Sequence, residues 1–272
     1  MRLGLVGYGA IAETLLQGLV TDHAMLDSLV CLAKPEARER AQRLLRQYPS
    51  LTKDGQVATT LDELVTSDID LVVECAGQEA LRVIAEPVLA AGIDLMPASL
   101  GAFADDEFHD RVLDTARHSG ARLHLPAGAV GGLDILGAAR LAGIQDVVYI
   151  SRKPPDAWRG TAAETLVDLE HLSGEAVFYE GSARAAARDY PKNANVAAAI
   201  ALAGLGFDKT RVRLVADASV ANNIHEVALH SACADVVLRI EGRASAQNPK
   251  TSLTTGYSIA HLVLNRMASQ II

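Results

Sequence analysis

The first 125 residues alternate short apolar runs with amphipathic stretches. Residues 2–6 (RLGLV), 28–33, 57–60, 69–74 (IDLVVE), 93–97 and 121–125 read as strands, 57–60 being the weakest. Helical patterns follow the first run through Leu15, Leu16 and Leu19, then recur at 35–47, 61–65, 79–91 and 104–118. Strands alternating with helices of 10–15 residues over short links predict a Rossmann-type, doubly wound parallel sheet. After Pro126 the rhythm changes. A glycine-rich loop, PAGAVGG at 126–132, leads into a helical stretch at 133–142. Strand-like runs then follow at 147–151, 174–184, 211–216, 225–231 and 235–241, with one helix at 193–204. That sequence of elements predicts an α+β domain with a mostly antiparallel sheet. A long amphipathic stretch at 251–268 needs a surface for its apolar side and is expected to return to the first domain. The expected division is therefore 1–125, 126–245 and 246–272, α/β overall.

Composition narrows the partners. Of 272 residues, 50% are hydrophobic and 21% charged, which is ordinary for a globular chain with a real core. With 25 Lys+Arg against 33 Asp+Glu the formal net charge is −8, and aromatics make up only 4%. No basic arm or stacking platform is available, so nucleic acid is not an expected partner. Three scattered cysteines, Cys31, Cys75 and Cys233, form no CxxC and fit a reducing compartment. No run of 18 uninterrupted apolar residues and no signal-peptide pattern occurs, so the expectation is a cytoplasmic protein without a membrane partner.

The chemistry starts at Gly7-Tyr8-Gly9-Ala10-Ile11-Ala12, which leaves the first strand and opens the first helix. Gly7 permits a tight turn, Gly9 lets the backbone approach a pyrophosphate, and Ala12 is small enough for close packing of helix on strand. The amides of Ala10 and Ile11 lie at the helix N-terminus, which favours an anion. The expected ligand is NAD or NADP. The acid that grips an adenosine ribose at the end of the second strand is missing, since the segment reads Cys31-Leu32-Ala33-Lys34-Pro35. Lys34 and Arg38 either approach a 2′-phosphate or are solvated surface cations. Glu74-Cys75-Ala76-Gly77 and Ala98-Ser99 end two strands and are expected to shape a nicotinamide pocket.

Among eight histidines no HxH or HExxH occurs, so no metal is expected. GxSxG and GxxxxGK[ST] are also missing, which sets aside serine-hydrolase and P-loop readings. His225 is distinctive because Asn222-Asn223 precede it and Glu226 follows, inside a strand-like run. An imidazole there suits proton transfer, or is a structural hydrogen-bonding group. Asn195, at the start of an apolar helix, reads as an N-cap. Asn248 to Ser252 reads as a cap for the last helix, with Lys250 as a cation for a dicarboxylate.

These segments together resemble the L-aspartate dehydrogenases along nearly the whole chain. The resemblance is carried by GYGAIA at 7–12, PAGAVGGLDIL at 126–136, SRKPP at 151–155, NVAAAIALAGLGFDKT at 195–210, VRLVADASVANNIHE at 212–226 and NPKTS at 248–252. It implies a dinucleotide domain with an α/β catalytic domain, usually as a homodimer. It also implies oxidation of L-aspartate through iminosuccinate to oxaloacetate and ammonia, with the imine passing into NAD biosynthesis. The family's catalytic histidine falls on His225 and its dinucleotide contacts on Ala129 and Asn195. Asn223, Lys250, Arg152 and Lys153 are expected to face the substrate carboxylates. Tyr8 and Ala12 depart from the small residue and the glycine common at those positions, and neither change removes a catalytic group. Competing readings are another amino-acid or imine dehydrogenase on this scaffold, resembling homoserine dehydrogenase or dihydrodipicolinate reductase, and a dinucleotide-binding protein without turnover.

Overall fold

Parallel pairing organises the first half of the chain. In a computed structural model describing residues 1–191, 194–243, 245 and 252–271, the chain runs β1 (Arg2–Val6), α1 (Ala10–Thr21) and β2 (Ser28–Leu32). A 3-10 turn at Pro35–Ala37 leads to α2 (Arg38–Arg46), β3 (Gly55–Ala58), α3 (Leu61–Val65), β4 (Leu71–Glu74) and α4 (Gln78–Ala90). β5 (Asp94–Pro97), a 3-10 turn at Leu100–Ala104 and α5 (Asp106–Ser119) complete the series. The sheet order is β3-β2-β1-β4-β5, every pair parallel. The connection therefore reverses direction between β1 and β4, and the carboxyl ends of those two strands flank the switch point where open α/β sheets bind ligands.

The sixth strand expected at 121–125 does not form; Leu123 makes only an isolated bridge to Leu95. Leu95 donates to the Arg122 carbonyl at 2.9 Å and accepts from the His124 amide at 2.8 Å. The next rung would need an N–H from residue 97, which is proline and has none.

The apolar residues that set the strand pattern are the core: Leu3, Leu5, Leu71, Val73 and Met96 from the sheet, with Leu15, Leu16 and Leu19 from α1. The last helix, α9 (Leu253–Met267), joins this unit from Thr255 onward. Small residues let it approach α1 closely. A Cβ on Gly256 would meet Thr14 Cβ at 2.4 Å, and one on Gly18 would meet Ala260 Cβ at 2.7 Å.

Residues Ala127–Thr254 form the second unit. Its elements are α6 (Leu133–Ala142), β6 (Ile144–Lys153), β7 (Glu175–Ser182), α7 (Ala183–Asp189), α8 (Asn195–Ala203), β8 (Arg211–Asp217), β9 (Asn223–Ser231) and β10 (Asp235–Gly242). The sheet order is β10-β9-β6-β8-β7, and only β6 and β8 run parallel. The strand expected to reach residue 184 stops at Ser182, whose hydroxyl accepts the Ala185 amide and caps the alanine-rich α7. Asn195 is not an N-cap but the first helical residue. Ala194 precedes it with φ −92° and ψ −11°, and its carbonyl already accepts from the Ala198 amide at 2.8 Å.

Alternation along β6 and β9 divides this sheet into two faces. Val147, Tyr149, Ser151 and Lys153 are buried on one face, opposite Leu229, Val227 and His225 of β9. α6 and α8 cover it, with Gly204 wedged against Leu136 and Val147. The other face carries Val148, Ile150 and Arg152 and is more open. Among the described residues no helix is long and apolar enough to cross a membrane.

Candidate active site

In the first unit the glycine turn has the sterics that its spacing predicts. Gly7 has φ +102°, and a Cβ there would lie 2.8 Å from the carbonyl carbon of Cys75 and 2.9 Å from the Ala76 amide nitrogen. Only glycine lets β1 and the β4 loop meet so closely. Gly9, in contrast, has extended backbone and no atom within 4 Å of a Cβ position. No side chain caps α1. The amides of Ala10, Ile11 and Ala12 therefore face outward from the helix end, with the positive end of its dipole behind them. Open space at Gly9 and outward amides fit a pyrophosphate.

Beside this turn, Glu74 ends β4 fully buried. Its carboxylate accepts the amides of Ala76 (2.6 Å), Gly77 (2.7 Å) and Ser99 (3.2 Å), and the Ser99 hydroxyl at 3.0 Å. Burial pushes its pKa up, against the pull of these donors. One carboxylate thus ties together the loops that leave β4 and β5, including Gly77 at φ +122°. The sequence marks 74–77 and 98–99 as pocket walls but does not reveal Glu74 as their common anchor. The available signal was an acid closing an otherwise apolar strand.

Lys34 is exposed just past β2. Arg38, at the start of α2, is exposed as well; the Glu63 carboxyl is held below its usual range chiefly by the Thr59 amide, with a smaller contribution from the Arg38 charge.

In the second unit His225 is 5% exposed and stands directly across from Ser151 on β6. Its Nδ1 lies 2.8 Å from the Tyr149 hydroxyl, with the rings stacked at 18°. Burial raises the Tyr149 pKa, so this hydroxyl keeps its proton. Burial first, and then the Lys153 charge, depress His225 to about 4. The imidazole is therefore neutral near pH 7 and is oriented by Tyr149 through one nitrogen, with Nε2 at the opposite edge of the ring. Lys153 is itself 8% exposed, its ammonium 4.7 Å from the centre of the Trp158 ring. Between the two, the Ser151 hydroxyl is fully buried beside the Tyr149 hydroxyl, without a hydrogen bond of good geometry among the described residues. A buried base and a buried cation along one strand face make this the candidate site of the second unit.

The other expected residues fall as follows. Asn223 begins β9, half-buried, two residues from His225. Ala129 is buried in the glycine-rich loop, between Gly128 at φ +68° and Gly132 at φ +73°. Asn195 lies in the first turn of α8. Lys250, with the rest of 246–251, lies outside the described residues. Arg152 points away from His225, because neighbours on a strand face opposite sides. Its guanidinium bonds Asp217 at 2.7 Å and also pairs with Glu175.

A unit with a turn that fits a pyrophosphate and a second unit with a buried neutral imidazole are the combination expected of a nicotinamide-dependent dehydrogenase. Residues 7–126 match the NAD binding domain described for homoserine dehydrogenase, and residues 134–266 match the C-terminal domain of aspartate dehydrogenase. The L-aspartate dehydrogenase of Polaromonas sp. is 40% identical over 267 residues, 98% of this chain and 97% of that one. The Pseudomonas aeruginosa L-aspartate dehydrogenase is 39% identical over 97% of each chain. The crystal structure of aspartate dehydrogenase from Thermotoga maritima superposes with TM-score 0.77 at 28% identity, covering 100% and 99% of the two chains. The chain belongs to the L-aspartate dehydrogenase family. The homoserine dehydrogenase match covers residues 7–126, the dinucleotide-binding half.

Proposed function

We propose that this enzyme oxidises L-aspartate with NAD or NADP to iminosuccinate, which water converts to oxaloacetate and ammonia. The observation that carries this reading is His225, buried neutral and oriented by Tyr149 on the same face as a buried lysine. When bound, the nicotinamide supplies the acceptor for the hydride that leaves Cα. Gly7, Gly9 and the amides of Ala10, Ile11 and Ala12 hold the pyrophosphate, and the loop through Ala76 walls the pocket. Ala129 and Asn195 are further dinucleotide contacts by family likeness. His225 takes a proton from the water that adds to the imine carbon and passes it to the nitrogen; it then takes the proton of the new hydroxyl and delivers it to the nitrogen as the C–N bond breaks, leaving the ketone and ammonia.

Lys153 receives one substrate carboxylate by a charge-assisted bond, with the Ser151 hydroxyl and Asn223 as neutral partners. Arg152 is a structural cation in this reading, since its charge is met by Asp217 and Glu175. Lys153→Met is expected to raise the KM for aspartate by roughly 10–100-fold. It should also move the acid limb of kcat/KM to higher pH, because the Lys153 charge holds the His225 pKa down. A variant with unchanged KM and an unmoved limb would remove Lys153 from the site. The direct test of the activity is the initial rate of nicotinamide reduction with L-aspartate, with D-aspartate, glutamate and homoserine as controls. No stereospecific signal with L-aspartate would overturn the substrate assignment.

We further propose a homodimer in which a second copy covers the open face of the second sheet. Val148, Ala228 and Val237 are paired in one row across β6, β9 and β10, and Val237 is 81% exposed. The charges flanking that row are matched within the sheet, Arg239 with Glu226 and Glu241. A second copy therefore meets an apolar stripe with few uncompensated charges. Light scattering should give twice the monomer mass, and Val237→Arg should halve it; a monomeric parent would refute the arrangement. Three free thiols, one of them exposed, suit a cytoplasmic enzyme.

A further inference from the structure

The ribose side of a dinucleotide site lies at the carboxyl end of β2, where a carboxylate selects the 2′-hydroxyl and cations accept a 2′-phosphate. Here Leu32 is followed by Ala33, Lys34 and Pro35. Ala33 is buried and its amide is spent on the Ala58 carbonyl at 3.0 Å. Lys34 stands exposed at the entrance to the 3-10 turn. On α2, the Arg40 guanidinium lies over the Tyr8 ring, 5.3 Å from its centroid. Tyr8 is the middle residue of the Gly7-x-Gly9 turn. The contact therefore steadies a planar, permanently charged donor beside the phosphate-binding turn. The acids of the segment, Glu36 and Glu39, are exposed. α2 carries Arg38, Arg40, Arg43 and Arg46 against the single Glu39, in a chain whose net charge is −8. Within residues 34–40 three cations, Lys34, Arg38 and Arg40, stand against two acids, Glu36 and Glu39, a small positive excess in a chain of net negative charge.

We propose that Arg40, held by Tyr8, and Lys34 form a 2′-phosphate subsite, so that this enzyme selects NADP over NAD. The inference rests on the dinucleotide site described above but not on the identity of the amino-acid substrate. Arg40 supplies two parallel N–H donors to the phosphate, and Lys34 adds a point charge. Tyr8 is then a positioning residue, which accounts for an aromatic side chain at this turn.

The test is isothermal titration of the full-length protein with adenosine 2′,5′-bisphosphate and, separately, with 5′-AMP. The bisphosphate should bind about 10–100-fold more tightly at low salt, with the gap narrowing as ionic strength rises. Arg40→Gln should remove most of that ratio, Lys34→Gln a smaller part, and Tyr8→Leu should weaken it without removing a charge. The 5′-AMP affinity is the internal reference that separates loss of the subsite from loss of the fold. Equal affinities in the parent protein, or a ratio that survives the Arg40→Gln, Lys34→Gln double substitution, would overturn the proposal. If neither probe binds, the dinucleotide site itself falls with it. A bisphosphate preference in a protein inert toward L-aspartate would keep the subsite and reject only the substrate.

Discussion

His225→Ala lowers turnover with L-aspartate by roughly 10²–10⁴-fold while dinucleotide affinity stays at its parent value. Two results would separate this from a general loss of structure. The first is binding: the proposed dinucleotide contacts are Gly7, Gly9, the amides of Ala10, Ile11 and Ala12, Ala129 and Asn195, and His225 is not among them, so a fluorescence titration with NADPH should be unaffected. The second is the pH dependence of stability. The folded-state pKa of about 4 lies below the ordinary histidine value near 6.5. Between these two values the unfolded chain binds more protons than the folded one, so the slope of stability against pH is positive there. The stabilising contribution is complete above about pH 6.5 and is lost as pH falls through about 4. His225→Gln cannot titrate and should flatten that part of the denaturation profile. Unchanged turnover in the alanine variant would remove His225 from the reaction. An unchanged pH profile in the glutamine variant would contradict its burial as a neutral base.

Gly7→Ala and Gly9→Ala are expected to fail in different ways, although the two glycines belong to one motif. At Gly7 the methyl would press on the backbone of Cys75 and Ala76 from a φ of +102° that L-residues avoid. Backbone cannot yield as a side-chain tip does. Strain and overpacking together cost roughly 2–5 kcal/mol, lowering Tm by roughly 5–15 °C and abolishing dinucleotide binding. At Gly9 the methyl enters open space from a φ of −102° that alanine adopts freely. Thermal stability should hold to within a degree or two, while dinucleotide affinity falls at least about tenfold, because the methyl occupies the approach of the pyrophosphate. Scanning calorimetry beside a fluorescence titration reads both. Equal stability loss in the two variants would mean that the second glycine serves the fold and not a ligand.

The contrast between these glycines also marks the reach of sequence reading. The alternation of apolar runs with amphipathic stretches was sufficient to order the strands and helices of the first unit, since periodicity is a local property of the chain. The glycine turn was equally legible, because its spacing and its place between a strand and a helix are local to the chain, although the backbone that crowds Gly7 belongs to the loop after β4. The exceptions arose where a rung depended on a particular distant partner. Residues 121–125 have a strand's composition, yet Pro97 on the neighbouring strand withholds the amide that would extend the ladder. At Ser182 a local signal was present but outweighed by the preceding β-like run, and the hydroxyl cap started a helix there.

The candidate site divides in the same way. Polar neighbours drew attention to His225 from the chain alone, and family likeness gave it a role. Its orientation by Tyr149, 76 residues away, and its electrostatic coupling to Lys153 follow only from the register of β6 against β9. That register also puts Lys153 and Arg152 on opposite faces, giving two adjacent cations different work. Arg152 finds Asp217 on β8 and Glu175 on β7, whereas Lys153 is buried on the face of the imidazole. The sequence by itself thus determined the class of fold and the phosphate-binding turn, which follow from local periodicity and spacing, and it singled out His225, whose proposed role came from the family resemblance. Tertiary structure alone decided the surroundings of each charged group, because cross-strand register and burial, not proximity along the chain, set the face it lies on and the neighbours it meets.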